Sequence, residues 1–594
     1  MPGWLPQLSF PGVTTIGPTG NNLRLTVQNL YDFQENLQYI HGSHSMRLGV
    51  QIDHVGSNKN GGIAGVNGSF TWATLQGFLA DDKLSAFSAA ALGGSTFRSF
   101  VQYIYASYLQ DDWKMRPNFT WNFGLRYEPF TAPTEKWGRA ATLKNWVTAT
   151  AFDNTIPLFN NPSKKDFSPR VGFAWDPKGD GKTAVRAGFG LFFMDITGAY
   201  FLLPGNKNPP YFASTASVLG NLVSAPSDMA RINSALLSPI MTPNSLPELI
   251  QWNLKPSYEM KFNFTVEHQL PGNLSVSVGY SGDRGIHLWR LVDINDVPPI
   301  LVNGRPFVVA GTPRLNPNMG AGTMRYSDAQ SFYNGLQIEV KKRFSHGFQF
   351  QSSYTWSKNI DDSTTGVAQT DYVPGGNGVT SQPYNPKSDR GLSSLNIGQS
   401  LVLNGIYALP SPTHSGFFSA LLGGWQVASI FTANSGSPFT VYVSGRNAPD
   451  LSRSTGVQYP DLVAGRSFSS MVTGNPNHYV DLTAFVLPPP APPGFPAGSG
   501  FYGNAGHNIL IGPGLANFDF SVQKSTPLRI REGTRLEFHA DFFNSFNRAN
   551  FAYPRANASQ VLNPATGAYI SGAGKITNTV TTSRQLQFGL KLIF

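Results

Sequence analysis

The chain has 594 residues, no cysteine and a formal net charge of +10, which excludes a disulfide scaffold and any thiolate metal site. Charged residues make up 13% of the chain and aromatics another 13%, and 61 glycines with 44 prolines are too many for a long helical protein. Lys and Arg are scattered without a basic run, which argues against nucleic-acid binding, and no stretch is apolar for long enough to be a membrane-crossing helix.

Met1–Phe10 (MPGWLPQLSF) has neither the basic start nor the apolar centre of a secretion signal. Residues 1–22 are expected to be an irregular lead-in. A first strand is expected near Leu23–Tyr39, followed by a tight turn at His41–His44. In Asn118–Phe130 (NFTWNFGLRYEPF), Phe119, Trp121, Phe123, Leu125 and Tyr127 recur at every second position, against Thr120, Asn122, Gly124, Arg126 and Glu128. A period of two puts these sets on opposite faces of a strand. Tyr258, Met260, Phe262, Phe264 and Val266 repeat the pattern, and Leu274, Val276, Val278 and Tyr280 follow at once. Phe348, Phe350, Tyr354 and Trp356 oppose Gln349, Gln351, Ser353 and Thr355. Leu536, Phe538, Ala540 and Phe542 oppose Arg535, Glu537, His539 and Asp541. The chain ends on the same pattern, with Leu586, Phe588, Leu590, Leu592 and Phe594 apolar between Gln585, Gln587, Gly589 and Lys591.

The spacing between strands alternates as well. Short reversals at His41–His44, Arg116–Asn118, Pro177–Gly181, Leu270–Asn273 and Ser345–Gly347 carry the Gly, Pro, Asn or Ser that tight turns need. Long Gly-, Pro-, Ser- and Asn-rich stretches separate the hairpins at 57–100, 131–167, 194–256, 285–331, 359–398, 434–514 and 547–583. Compact soluble domains rarely carry so many long irregular loops. Outer-membrane barrels alternate short periplasmic turns with long extracellular loops, and their apolar face meets lipid. The expected fold class is therefore all-β: an antiparallel transmembrane β-barrel of the outer-membrane type, with about fifteen strands present. Such barrels normally have an even strand number, so an odd count and the missing signal are both expected of a barrel cut within its first strands. A buried last strand in a soluble sandwich is the competing reading of Arg584–Phe594.

The polar faces make Arg126, Glu128, Arg535, Glu537, His539 and Asp541 candidate lumen-facing residues. Trp121, Tyr127, Trp356 and Trp425, with Trp113, are candidates for the aromatic girdles that sit at head-group depth. Glu537, His539 and Asp541 span roughly 13 Å along one strand face, too far for one acid–base pair. No nucleophile signature is present, so no enzyme is expected. Asp176–Thr183 (DPKGDGKT) falls one glycine short of a phosphate-binding loop and precedes a strand rather than a helix, so it is expected to be a turn. His41 and His44 sit in a turn without a third ligand. Asp361, Asp362 and Ser363 are expected in a solvated loop, and Asp111, Asp112 and Lys114 at a strand end or lumen face. Neither a cofactor nor a metal is expected.

Several stretches together resemble the barrel portion of TonB-dependent outer-membrane receptors, in particular the large Oar-like group. They are Phe10–Asn22 (FPGVTTIGPTGNN), Gln110–Lys114 (QDDWK), Asn122–Glu128 (NFGLRYE), Ser168–Thr183 (SPRVGFAWDPKGDGKT), Gln251–Leu254 (QWNL), Leu270–Tyr280 (LPGNLSVSVGY), Ser353–Ser363 (SYTWSKNIDDS), Gly423–Gln426 (GGWQ), Arg535–Asn547 (RLEFHADFFNSFN) and the final LQFGLKLIF. The resemblance implies a receptor-like barrel over residues 1–594, taken from a family barrel of about 22 strands. It also implies energy-coupled uptake of a scarce solute through the TonB complex. Signal peptide, TonB-contact segment and plug find no counterpart here. A terminal alternating strand ending in Phe resembles the signal read by the barrel assembly machinery. Further expected partners are outer-membrane lipid, lipopolysaccharide and an unidentified solute, with the TonB complex engaged only through a plug. The rivals are a passive pore or a surface adhesion or glycan-binding barrel, and a secreted all-β enzyme or carbohydrate-binding module.

Overall fold

The computed structural model describes residues 6–18, 24–61, 68–196, 198–214, 222–363, 382, 384–411, 421–443, 458–528, 531, 533–554 and 559–594. Fifteen long strands form one sheet. In chain order they are β1 (Arg24–His41), β2 (His44–Gly61), β3 (Arg98–Arg116), β4 (Phe119–Tyr127), β5 (Phe167–Trp175), β6 (Thr183–Phe193), β7 (Tyr258–Leu270) and β8 (Leu274–Ile294). They continue with β9 (Gly322–Ser345), β10 (Phe348–Asp361), β11 (Gln399–Ala408), β12 (Trp425–Asn434), β13 (Leu515–Pro527), β14 (Arg535–Phe543) and β15 (Gln585–Ile593). Each is antiparallel to the next. The short strands Thr134–Glu135, Glu248–Ile250 and Gly391–Leu392 add to β3, β9 and β10. Among the described residues no ladder joins β15 to β1, so the meander is an open sheet with two free edges.

The expected rhythm holds along the whole sheet. Short connections at 42–43, 117–118, 176–182, 271–273, 346–347, 409–424 and 528–534 alternate with long ones at 62–97, 128–166, 194–257, 295–321, 362–398, 435–514 and 544–584. The chemistry of the short turns is local. His346 and Gly347 carry the successive positive φ angles, 52° and 76°, of a two-residue hairpin turn whose twist matches its strands. In the near-match to a phosphate loop, Asp176 accepts hydrogen bonds from the Gly179 and Gly181 amides at 3.0 and 2.7 Å, and Thr183 then starts β6. It is a turn, as its sequence context implies.

Register separates the faces cleanly. Phe119, Trp121, Phe123, Leu125 and Tyr127 of β4 lie opposite Trp175, Phe173, Val171, Pro169 and Phe167 of β5. Thr120, Asn122, Gly124 and Arg126 lie opposite Ala174, Gly172, Arg170 and Ser168. The apolar rows are largely uncovered, as the exposed Phe123, Leu125, Phe264, Leu403 and Phe588 illustrate. A soluble sandwich would bury that face. A barrel turns it to lipid.

The buried core lies instead in the long connections and the strand ends they cover. Phe439, Val441, Met471, Phe485, Leu510, Val561 and Leu562 pack together from the 435–514 and 544–584 connections. Phe100, Phe130, Phe159, Phe201 and Ile250 form a second cluster, and Ala141, Leu249, Met319 and Met324 belong to a third. Burying one such Phe or Leu stabilises by about 1.5–3 kcal/mol. The lead-in is also less irregular than its sequence suggests. Gln7–Ser9 forms a strand parallel to Ser69–Thr71. It is anchored by Phe10, which is buried and stacks on Phe78 at 5.0 Å between ring centres.

Candidate functional site on the polar face and at the outer mouth

The polar face is built by the alternate residues of consecutive strands. Arg126 donates from Nη2 to Gln51 Oε1 at 3.1 Å and pairs with Glu128, one residue past β4. Asp53, next to Gln51 on the same face, lies directly opposite Asp32 on β1. Where β6 enters the outer connections, Asp195 joins this acidic group. Burial pushes its carboxyl up to about 6, with the charges of Glu128 and Asp53 adding to the effect. Burial also raises Asp166, whose backbone carbonyl accepts the Glu128 amide.

Further round the sheet, Lys261 bridges Glu259 at 2.8 Å and Asp283 at 3.4 Å. Arg290 is buried and forks onto both Asp328 oxygens, at 2.5 and 2.9 Å. Asp361 and Asp362 are not in a solvated loop as expected. Asp361 ends β10 and is buried, and Asp362 accepts the Gln330 amide at 2.6 Å. The long β9 strand extends far enough outward to cover them.

Arg535, Glu537, His539 and Asp541 share the polar face of β14, ten strands along from β4. Arg535 donates to Glu537 at 2.7 Å, His539 stands 3.9 Å from Glu537, and Asp541 accepts from Ser521 at 2.5 Å. Their partners differ, so the triplet makes no acid–base relay. The sheet does not bring the Arg126–Glu128 pair and this group into one cluster.

On the other face, Leu586, Phe588, Leu590 and Leu592 pair with Phe542, Ala540, Phe538 and Leu536. Phe594 follows the ladder and is 86% exposed. Trp121 opposes Trp113 beside the 117–118 turn, and Trp425 opens β12, with Lys524 over its ring at 5.0 Å. Tyr127 stacks on Phe167 at 4.5 Å, and the exposed Trp356 lies toward the long-connection end of β10. The four rings thus fall into two bands, one near each rim. Asp111 is on the apolar row rather than the lumen side, held 2.7 Å from His44 Nδ1, while Asp112 takes the polar face. Among the described residues no group of three His, Asp or Glu is placed to hold a metal.

Sequence reasoning missed Arg47, Arg170 and Asp195 as members of the polar wall. The signal for Arg170 was present in Ser168–Trp175, where Ser168, Arg170 and Gly172 alternate with Pro169, Val171 and Phe173. Asp195 lies beyond its strand, where alternation carries no information.

An antiparallel meander with one apolar and one polar face, and outer connections folded into a cap, defines an outer-membrane β-barrel protein of the cell outer membrane. Residues 2–587 match the family model described as an outer membrane beta barrel domain, and the chain belongs to that family. No curated protein matches the chain. Similar solved structures include the outer-membrane transporter YddB from Escherichia coli, at 10% identity and a TM-score of 0.47, covering 96% of this chain and 54% of that one. The ferripyoverdine receptor of Pseudomonas aeruginosa is 12% identical with a TM-score of 0.43, covering 95% of this chain and 48% of that one. The copper transporter OprC is 9% identical with a TM-score of 0.42, covering 96% of this chain and 56% of that one. The chain thus spans about half the length of these structures.

Proposed function

We propose that this chain is the barrel wall and outer cap of a TonB-dependent receptor that takes up a solute across the outer membrane. The observation that carries the reading is the pairing of a charged inner wall with long outer connections packed into hydrophobic cores with one another and with the strand ends beneath them. Loops packed in this way above a polar lumen form a pre-organised surface for a solute, which a bare pore does not need. The resemblance to the Oar-like receptors across the chain supports the same reading. In it, Arg126, Glu128, Arg535, Glu537, His539 and Asp541 line the solute path. Leu586, Phe588, Leu590, Leu592 and Phe594 present the closing strand to the assembly machinery. Trp121, Tyr127, Trp356 and Trp425 anchor the wall in lipid and lipopolysaccharide. Energy reaches the wall through a plug that contacts TonB.

The test compares cells with and without the gene. Depletion of solutes from the medium is followed by mass spectrometry, with and without a protonophore. Gene-dependent uptake that stops when the proton gradient collapses supports the proposal. Uptake that persists identifies a passive pore. A large folded outer cap also suits an adhesin, which would show gene-dependent attachment and no gene-dependent depletion.

A further inference from the structure

We infer that the polar face carries a binding recess for a small oxyanion, a carboxylate or a phosphate, centred on Gly124. Four residues on adjacent strands form one row across the sheet: Arg47 on β2, Gln110 on β3, Gly124 on β4 and Arg170 on β5. Tyr108 and Arg126 occupy the next row outward. Together they line a cavity of about 210 Å³. Gly124 leaves its floor open, since a Cβ there would meet nothing closer than Arg170 Cβ at 3.7 Å.

The residues lining the cavity bring three guanidiniums and no carboxylate, while the acidic group of Asp53, Glu128 and Asp195 stands further out. Arg126 is matched by Glu128. Asp112 already accepts from Gln110 at 3.3 Å and Asn122 at 2.6 Å, and Arg47 only reaches it at 4.0 Å. Arg170 lies over the Phe192 ring at 4.5 Å and makes no hydrogen bond or ion pair among the described residues. Like charges on neighbouring strands oppose each other, and Arg170 is diagonal to Arg126 across the β4–β5 ladder. A small anion in the recess relieves that repulsion. A guanidinium fork matches the planar oxygens of a carboxylate or phosphate better than an ammonium does. Phe192 holds Arg170 by its face, which leaves the guanidinium edge for a ligand.

The recess deepens the uptake proposal and rests on it only for the claim that the anion is cargo. Equilibrium binding needs neither TonB nor a proton gradient, so failure of the site and failure of uptake are separate results. The experiment is calorimetric titration of the full chain in detergent micelles with citrate and with inorganic phosphate, at low and high salt. Saturable binding that weakens with salt is expected. Arg170→Gln and Gly124→Phe should each weaken it at least about tenfold, close to 1.4 kcal/mol. Arg170→Lys, which keeps charge but loses the fork, should fall between. Arg186→Gln, whose side chain pairs with Glu267 outside the recess, should bind like the parent. Circular dichroism of each variant establishes that the sheet is intact. Binding of phosphate alone would assign a phosphoryl ligand, and binding of citrate alone a carboxylate. No binding by the folded parent, or equal binding by Arg170→Gln, Gly124→Phe and Arg186→Gln, would overturn the inference.

Discussion

Phe588→Arg is the substitution that most directly tests which face of the sheet meets lipid. Phe588 is the fourth of nine residues in β15, lies opposite Ala540 and is 66% exposed. If its surroundings are hydrocarbon, an Arg there near the bilayer midplane costs about 2–4 kcal/mol. That lowers the folded-to-unfolded ratio roughly thirtyfold to several hundredfold, since each 1.4 kcal/mol is a factor of ten. The control is its neighbour. Gly589 faces the polar side, where an added Cβ would meet only His539 Cβ at 3.9 Å. Glu537 and Asp541 flank His539 on that face, so Gly589→Arg should cost less than about 1 kcal/mol. The assay is equilibrium unfolding of the full chain in lipid vesicles, with outer-membrane yield as a second readout. The face assignment is refuted if Gly589→Arg costs as much as Phe588→Arg, or if Phe588→Arg costs nothing.

The outer cap and the mouth give three more tests. Phe485 is fully buried in the largest cap cluster, so Phe485→Ala should cost about 3–5 kcal/mol locally. Limited proteolysis should then cut the 435–514 connection while hydrogen exchange in β15 stays slow; loss of both together would mean that cap and wall unfold as one unit. Gly436→Ala drives a Cβ against the backbone carbonyls of Gly512 and Pro513. It should destabilise the same cap by about 1–3 kcal/mol, read by the same proteolysis, and unchanged protection would count against the packing described. Asp195 has a carboxyl raised to about 6 in the folded chain, so the folded state holds that proton more tightly than the unfolded one. Its stabilising contribution is full below the ordinary value of 3.8 and is lost as pH rises through about 6. Asp195→Asn should therefore raise the melting temperature at neutral pH and flatten the slope across that window; an unaltered slope would dismiss Asp195 as its source.

Much of the wall is legible in the sequence because each strand residue has one of two surroundings. In β4 and β15 the alternation of Phe, Trp and Leu with Asn, Gln, Gly and Arg sets both the strand and its facing. The rhythm of turns then sets the order of strands. The signal fades where both faces are covered. Arg290–Ile294 at the outer end of β8 is buried throughout, and so is most of Gly322–Ala329 at the start of β9. With both faces buried, polar and apolar residues no longer alternate. These segments therefore look like part of a loop at 285–331, although β8 and β9 stay paired up to Ile294 and Gly322. The two- and three-residue strands such as Glu248–Ile250 are too short for any period to register. The recess around Gly124 was half visible. Arg126 was marked by the alternation in β4, but its neighbours Arg47 and Arg170 come from other hairpins, and only register brings them together.

The distribution of apolar residues points to two solvents acting on one chain. The sheet leaves rows such as Leu586, Phe588, Leu590 and Leu592 uncovered, while the cap buries Phe439, Met471, Phe485 and Val561 almost completely. A single aqueous solvent does not stabilise both arrangements, because uncovered apolar rows of this extent are an aggregation hazard in water. With lipid around the sheet and water around the cap, each half is arranged for its own surroundings. Polar groups follow the same division. Between its two edge strands, the backbone donors and acceptors of the wall are satisfied by neighbouring strands, as lipid demands. In the cap, side chains do that work: Asn295 donates to three backbone carbonyls, of Asn316, Met319 and Gly320, between 2.8 and 3.1 Å. Asn295→Ala would leave those carbonyls without their donor and should loosen the 295–321 connection by about 1–3 kcal/mol. Faster hydrogen exchange confined to that connection is the expected result. Exchange that instead rose in β8 and β9 at membrane depth would mean that the two halves are not independently stabilised.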